Sequence, residues 1–211
     1  METEERILSA AREVILERGV DGARMEEIAH RARVNKALLH YYFGSKEGLC
    51  REILRRAMRE LVARLSAEVA ADLPFPAALE RFVSQYLDFV AANRRLAHLV
   101  LWELGRGGEE LAEVFRDAFR DGGQPENPLV ALFRRASERG EIRPVDPVHA
   151  ALSLVGACLF PILARDIVPI IACTEFPLET DFLEERKRHI LDVFWNGLRP
   201  EVRCCQREAV P

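Results

Sequence analysis

Long apolar runs are missing from this 211-residue chain. Its most hydrophobic stretch, 150–164, ends at Arg165 and Asp166. As a helix, about 15 residues reach only ~22 Å against a hydrocarbon core of ~30 Å, so we expect a buried helix and no membrane span. The basic-then-apolar order of a secretion signal is missing too, since Met1 to Arg6 carries three glutamates, and a cytoplasmic protein is expected. Cysteine is scarce and odd in number. Cys50, Cys158, Cys173, Cys204 and Cys205 form no CxxC and no Cys/His cluster at zinc spacing. Reduced thiols are therefore expected in place of a disulfide framework or a metal site. Period-2 alternation between turn residues is almost absent, which argues against β folds. The loop Gly105-Arg-Gly-Gly108 lacks the lysine and hydroxyl of a phosphate loop and a third glycine at dinucleotide spacing. No nucleophile elbow, HExxH or catalytic Cys/His pair stands out, so neither cofactor nor enzyme chemistry is expected.

A surplus of positive charge is also lacking: 30 Lys+Arg against 34 Asp+Glu give a net charge of -4. That excludes indiscriminate coating of nucleic acid, but the distribution matters more than the sum. No acid lies between Glu27 and Glu47, whereas His30, Arg31, Arg33, Lys36, His40 and Lys46 do. A local basic surface is thus set into an acidic protein.

Apolar residues at i, i+3, i+4, i+7 recur from end to end, and the chain is 49% hydrophobic and 30% charged. The expectation is an all-α fold of about nine helices. The first helix starts after Thr3, buries Ile7, Leu8, Ala11, Val14 and Ile15, and stops at Gly19. A short second helix carries Met25, Ile28, Ala29 and Ala32. After a turn at Arg33-Val34, Asn35 caps a third helix that ends near Gly44. Ser45 caps a long helix from Lys46 to about Ala71, ended by Pro74 and Pro76. Helices over about 77–92, 94–104, 109–120 and 128–139 follow. Asn127-Pro128 and Asp146-Pro147 are cap-plus-proline starts, and Asp181 with Glu184 opens the last helix, which runs to Gly197. Pro161 should kink the apolar helix. Three segments result: a helix-turn-helix unit over 1–45, a helical body over 46–199, and a polar tail over 200–211.

Three short helices with a tight turn between the second and third present one helix to the DNA major groove. Met25, Ile28, Ala29, Val34, Leu39 and Tyr42 would form the internal core, leaving Asn35, Lys36, Ala37, Leu38, His40 and Tyr41 at or near the exposed side. The elements Ile28-Ala29, Val34-x-Lys36, Leu39-x-Tyr41-Tyr42-Phe43 and Ser45-Lys46-Glu47-x-Leu49 come in order. Over roughly 4–54 the chain resembles the DNA-binding region of the TetR family of transcriptional regulators; beyond that it resembles the family only in helix number and in its closing helix.

The resemblance implies a homodimer whose recognition helices enter successive major grooves of a palindromic double-stranded operator, acting as a repressor released by a small molecule. Lys36 and Tyr41 match positions that touch DNA. Tyr42 matches one that gives its hydroxyl to a phosphate while its ring packs inward, and Lys46 matches a phosphate-contacting lysine. Departures are informative. Ala23 replaces the threonine that starts the second helix, with Arg24 as a substitute phosphate ligand. Arg33 replaces a common turn glycine, which is strained if φ is positive there but adds a cation. Leu38 replaces a small hydroxyl residue and His40 a tyrosine, so the operator should differ from those of relatives. The competing reading is a helical hairpin with a solvated basic face, and Arg31 fits a surface charge as well as a DNA contact.

In the second half, Leu152, Val155, Gly156 and Leu159 form one stripe, and Phe182, His189, Ile190, Val193, Phe194 and Gly197 another. A dimer built on these two helices, as a four-helix bundle, is expected; the alternative is that both stripes face their own core. Aromatics concentrate at Phe82, Tyr86, Phe89, Trp102, Phe115, Phe119, Phe133 and Phe160. Most belong to the core, and a cavity among them would suit an unknown small, largely apolar effector, with Gln85, Tyr86, His98 and Arg106 as polar anchors. The run Glu184 to Arg188 reads as a solvated face with pairs such as Glu184 with Arg188. The rival classes are a thiol-responsive redox sensor using Cys204 and Cys205, an all-helical enzyme, and a helical interaction module without DNA.

Overall fold

The computed structural model describes residues 3–70, 73–121, 126–171 and 180–200. Cys173, Cys204, Cys205, most of the tail and the expected Asp181 cap lie outside the described residues and side chains. Among the described residues the fold is all-α, with eleven helices where about nine were expected: α1 (Thr3–Gly22), α2 (Met25–Ala32), α3 (Lys36–Phe43), α4 (Lys46–Ala70), α5 (Phe75–Ala92), α6 (Arg94–Gly105), α7 (Glu109–Asp121), α8 (Pro128–Glu138), α9 (Pro147–Leu163), α10 (Val168–Ile171) and α11 (Thr180–Leu198). The single turn α10 is too short for periodicity to reveal it. No described helix is long and apolar enough to cross a membrane.

Local chemistry explains most helix ends. Gly19 interrupts α1 with φ 72 and ψ 170, and one further turn runs to Gly22. Asn127 Oδ1 accepts from the backbone N–H groups of Leu129 at 2.9 Å and Val130 at 3.4 Å. Asp146 does the same for Val148 and His149, both at 2.9 Å. Those backbone donors hold the Asp146 carboxyl below the usual range. Pro74 cannot cap α5 with a side chain, and Glu141 Oε2 accepts the Phe75 N–H at 2.6 Å instead, tying that helix start to the α8–α9 loop.

One continuous apolar core runs from Ile7 to Leu198, with α4 as its strut against α1, α5, α6, α7 and α8. Phe75 and Phe133, both fully buried, meet at 5.5 Å between ring centroids. Burying each such side chain stabilises the fold by about 1.5–3 kcal/mol. Along the α4–α7 seam, Arg51 pairs with Glu110, Arg55 with Asp117 at 3.8 Å and Arg59 with Asp121 at 2.8 Å. The run 184–188 is a solvated face only in part: Glu184, Glu185 and Arg188 are exposed, while Arg186 and Lys187 turn inward. Lys187 is buried and bridges Glu184 at 2.7 Å and Asp88 of α5 at 2.9 Å, and Arg186 donates to the Ala157 carbonyl of α9 at 2.7 Å. Periodicity missed this because the partners lie on other helices.

Candidate nucleic-acid interface

The turn before α3 is built from backbone. Arg33 N–H donates to the His30 carbonyl at 3.1 Å and Val34 N–H to the Ala29 carbonyl at 3.0 Å. This closure needs a left-handed residue, and Arg33 takes it with φ 55 and ψ 47, alone among the described non-glycine residues in having positive φ. A side chain there costs roughly 1–2 kcal/mol relative to glycine. The chain leaves the turn extended at Asn35, whose Oδ1 accepts the Leu38 N–H at 2.8 Å and starts α3. The start of α2 has no side-chain cap bond, as the loss of the threonine implies, but its cap position is Arg24, one residue after the buried Ala23.

Helix α3 has eight residues, of which Leu39 alone is fully buried. Lys36, Ala37, His40 and Tyr41 are exposed on one face, as their i, i+4 spacing requires, with Asn35, Arg33 and Arg24 exposed beside them and Leu38 half-buried. Tyr41 is 80% exposed. Tyr42 departs from its expected core position: it is 44% exposed, edge-on to Tyr41 at 5.3 Å. Phe43, four residues after Leu39 and therefore on the same face, packs against the core in its stead. The Leu39–Phe43 spacing was the signal for this.

Charge pairing further sorts the basic residues. Lys36 is paired with Glu26 of α2, whose carboxyl is held below its usual range by that ammonium. Arg31 faces Glu17 at 2.8 Å, Glu27 at 3.6 Å and Glu13 at 3.8 Å, so it staples α2 to α1. The His40 ring donates through Nδ1 to the Gly44 carbonyl at 2.7 Å, which leaves Nε2 as an acceptor in the neutral ring. Lys46, half-buried, donates to the Ala23 carbonyl at 3.5 Å. Ser45 Oγ accepts the Gly48 N–H at 3.2 Å and caps α4.

Sequence reasoning overlooked Gly48. A Cβ placed there would lie 2.0 Å from the Phe43 carbonyl oxygen, so α4 meets the end of α3 at a distance only glycine permits. The recognition helix is thereby set against α4 by backbone contact.

The other expected site residues divide. Phe82, Tyr86, Phe89 and Phe133 are buried, Phe82 stacks on Tyr86 at 5.8 Å, and burial raises the Tyr86 phenol above its usual pKa. Trp102 and Phe119 are half-buried. His98 is exposed and, with Trp102, lines a cleft of about 520 Å³ between α1 and α6, away from that cluster. Phe160 is 57% exposed and joins Val148, Leu152 and Gly156 in a stripe at four-residue steps along α9. On α11, His189, Val193 and Gly197 are exposed at the same steps, while Ile190 turns into its own chain's core. Val155, Leu159 and Phe194 are half-buried between these two sides.

Residues 7–53 match the family described as bacterial regulatory proteins, tetR family. Over 155 residues the chain is 32% identical to the HTH-type transcriptional repressor SCO4008 of Streptomyces coelicolor, covering 74% of this chain and 75% of that protein. It is 29% identical over 143 residues to the HTH-type transcriptional regulator RutR of Escherichia coli, covering 68% of this chain and 66% of the relative. Among solved structures, the TetR family transcriptional regulator PfmR of Thermus thermophilus superposes with a TM-score of 0.68 at 25% identity, covering 90% of this chain and 97% of PfmR. The regulator FadR of Bacillus subtilis, solved in complex with stearoyl-CoA, shares the fold with a TM-score of 0.71 at 20% identity, covering 92% of this chain and 98% of FadR. A recognition helix with its turn, caps and exposed polar face, seated on a helical body, is a DNA-binding device, and the chain belongs to the TetR family of bacterial transcriptional regulators.

Proposed function

We propose that the protein is a cytoplasmic repressor that binds a palindromic operator as a homodimer and lets go when a small, largely apolar effector binds its helical body. The observation that carries this reading is the face of α3: Lys36, Ala37, His40 and Tyr41 are exposed together on a helix whose start and turn are fixed by Asn35 and Arg33. Base-edge readers of this kind need phosphate contacts to hold register, and Arg24, Arg33, Lys46 and the Tyr42 hydroxyl are assigned that role. Under this reading residues 1–45 are the DNA-binding unit and 46–199 the sensing and dimerising body. Leu152, Val155, Gly156, Leu159, Val193 and Gly197, extended by Val148 and Phe160, form the dimer face, for which an uncovered aliphatic stripe is the support. The aromatic cluster of Phe82, Tyr86, Phe89 and Phe133 receives the effector. The described thiols, Cys50 and Cys158, are buried and pushed up to about 12, which keeps them protonated and unsuited to a redox switch.

Selection of bound fragments from random DNA tests the reading. A recovered palindrome, bound in a salt-dependent way and lost on Lys36→Ala with Tyr41→Ala, is the expected result. Wild-type affinity for every DNA in that double variant would overturn the site assignment.

A further inference from the structure

A second cavity lies where the reading above has no use for one. It measures about 210 Å³ and is enclosed by the first turns of α4, the last turn of α6 and the first turn of α7. Four carboxylates line it, from Glu47, Glu103, Glu109 and Glu110, against two guanidiniums, from Arg51 and Arg106. Their partners do not cancel evenly. Glu110 takes Arg51, and Glu47 is held by its own backbone N–H and the Ser45 hydroxyl. The Arg106 guanidinium lies over the Trp102 ring at 4.7 Å.

Glu103 is left over. It is only 7% exposed, and among the described residues its carboxylate has neither ion pair nor hydrogen bond. It also stands in the last turn of α6, where the negative end of the helix dipole adds to the cost of an anion. Nearby, Glu110 Oε2 and Arg51 Nε are buried without a hydrogen-bond partner. A largely buried side chain whose unpaired carboxylate lines the cavity calls for a counter-charge there.

The shape of the charge names the ligand class. Among the described residues no three of His, Cys, Asp and Glu come close enough together to hold a metal ion, so the carboxylates ring the cavity without converging. The neutral Cys50 thiol and Leu54 supply apolar wall between them. We propose that this cavity binds a short aliphatic diamine, with one ammonium on Glu103, the other at Glu109 and Glu110, and the methylenes along Cys50 and Leu54. Bound there, a diamine ties the first turns of α4, which follow directly on the recognition helix, to the α6–α7 corner. The site is separate from the aromatic cluster assigned to the apolar effector, so it stands or falls independently of that assignment.

Thermal unfolding of the full-length protein with 1,4-diaminobutane tests this at fixed ionic strength, with sodium chloride, butylamine and magnesium chloride as comparisons. The diamine should raise Tm by roughly 5–10 °C at a concentration about a hundredfold above Kd. Glu103→Gln should abolish the shift while melting no lower than wild type without diamine, because it removes an unpaired buried charge. No shift in wild type, an equal shift in Glu103→Gln, or an equal shift with butylamine or magnesium overturns the proposal. Should Glu103→Gln fail to fold, calorimetric titration of Glu109→Gln, altered at the exposed rim, decides: diamine binding weakened by about threefold or more supports the site, and unchanged binding overturns it.

Discussion

Two faces of this molecule are left uncovered by their own chain, and they differ in kind. The α3 face is short and polar, and it is held in place by special backbone: a left-handed arginine, an asparagine cap and a glycine pressed against a carbonyl. The α9–α11 face is longer and mostly apolar, with glycines at Gly156 and Gly197 where an added Cβ would meet nothing within 4 Å. The first suits a rigid polyanion, whose grip weakens with salt, and the second an apolar copy of itself, whose grip does not. Precision is concentrated where hydrogen bonds must be aimed, and tolerance where area alone is buried.

Leu152→Asp should break the comparison most sharply, weakening self-association by on the order of a thousandfold as read by light scattering, since in the proposed symmetric dimer it places two charges in one apolar seam. A dimer of unchanged affinity would remove the α9 stripe from the interface. Next in size, Gly48→Ala forces a methyl onto the Phe43 carbonyl and should cost about 3 kcal/mol in urea unfolding, whereas Gly156→Ala, in open space, should cost the folded monomer nothing. Equal effects from the two would dissolve the contrast in precision. Lys36→Ala should lower operator affinity about tenfold per half-site and flatten the slope of log K against log salt by ~1 per protomer if the lysine reaches phosphate; an unchanged slope assigns it to base edges alone.

Arg33→Gly separates fold from function at one residue: relief of the left-handed strain should raise stability by about 1 kcal/mol while loss of the cation weakens DNA binding. A destabilised variant would refute the strain. The smallest effect concerns pH. Glu17, Glu26 and Asp146 have carboxyls held below their ordinary values, first by the Arg31, Lys36 and His149 donors respectively. Their contributions are therefore present above ordinary carboxylate pKa values and are lost as pH falls through the lowered ones. Urea midpoints should be nearly flat from about pH 7 to 5 and decline below ~4.5. A midpoint that rises on acidification below ~4.5 would contradict the sign.

Much of this was legible from sequence because its causes are local. Asn35, Ser45, Asn127 and Asp146 cap the helices they were read to cap, since a cap needs only its own first turn. Gly19 stops the regular run of α1 for the same reason. What escaped has causes elsewhere in the chain. Gly48 matters through Phe43, Lys187 through Asp88, and the helix start at Phe75 through Glu141. Phe160 and Ile190 were assigned to the wrong sides because a helix face read from apolar residues alone carries an uncertainty of one residue in angle. Tyr42 yielded its place to Phe43 because both lie within reach of the core after Leu39 and the ring without a hydroxyl buries at lower cost.

The arginines of the α4–α7 seam recur once per turn, at 51, 55 and 59, and α7 answers with acids at 110, 113, 117 and 121. A single bridge defines one distance, but a set of bridges with unequal spacing defines a register. Arg51 and Arg55 are one turn apart while Glu110 and Asp117 are about two turns apart, and Arg59 already faces Asp121, the last residue of α7. Sliding α4 by one turn toward the end of α7, about 5.4 Å, would take Arg59 past its acid and Arg55 off Asp117. The seam is cut like a key for one lock, and it indexes the longest helix, with the recognition helix at its foot, to α7.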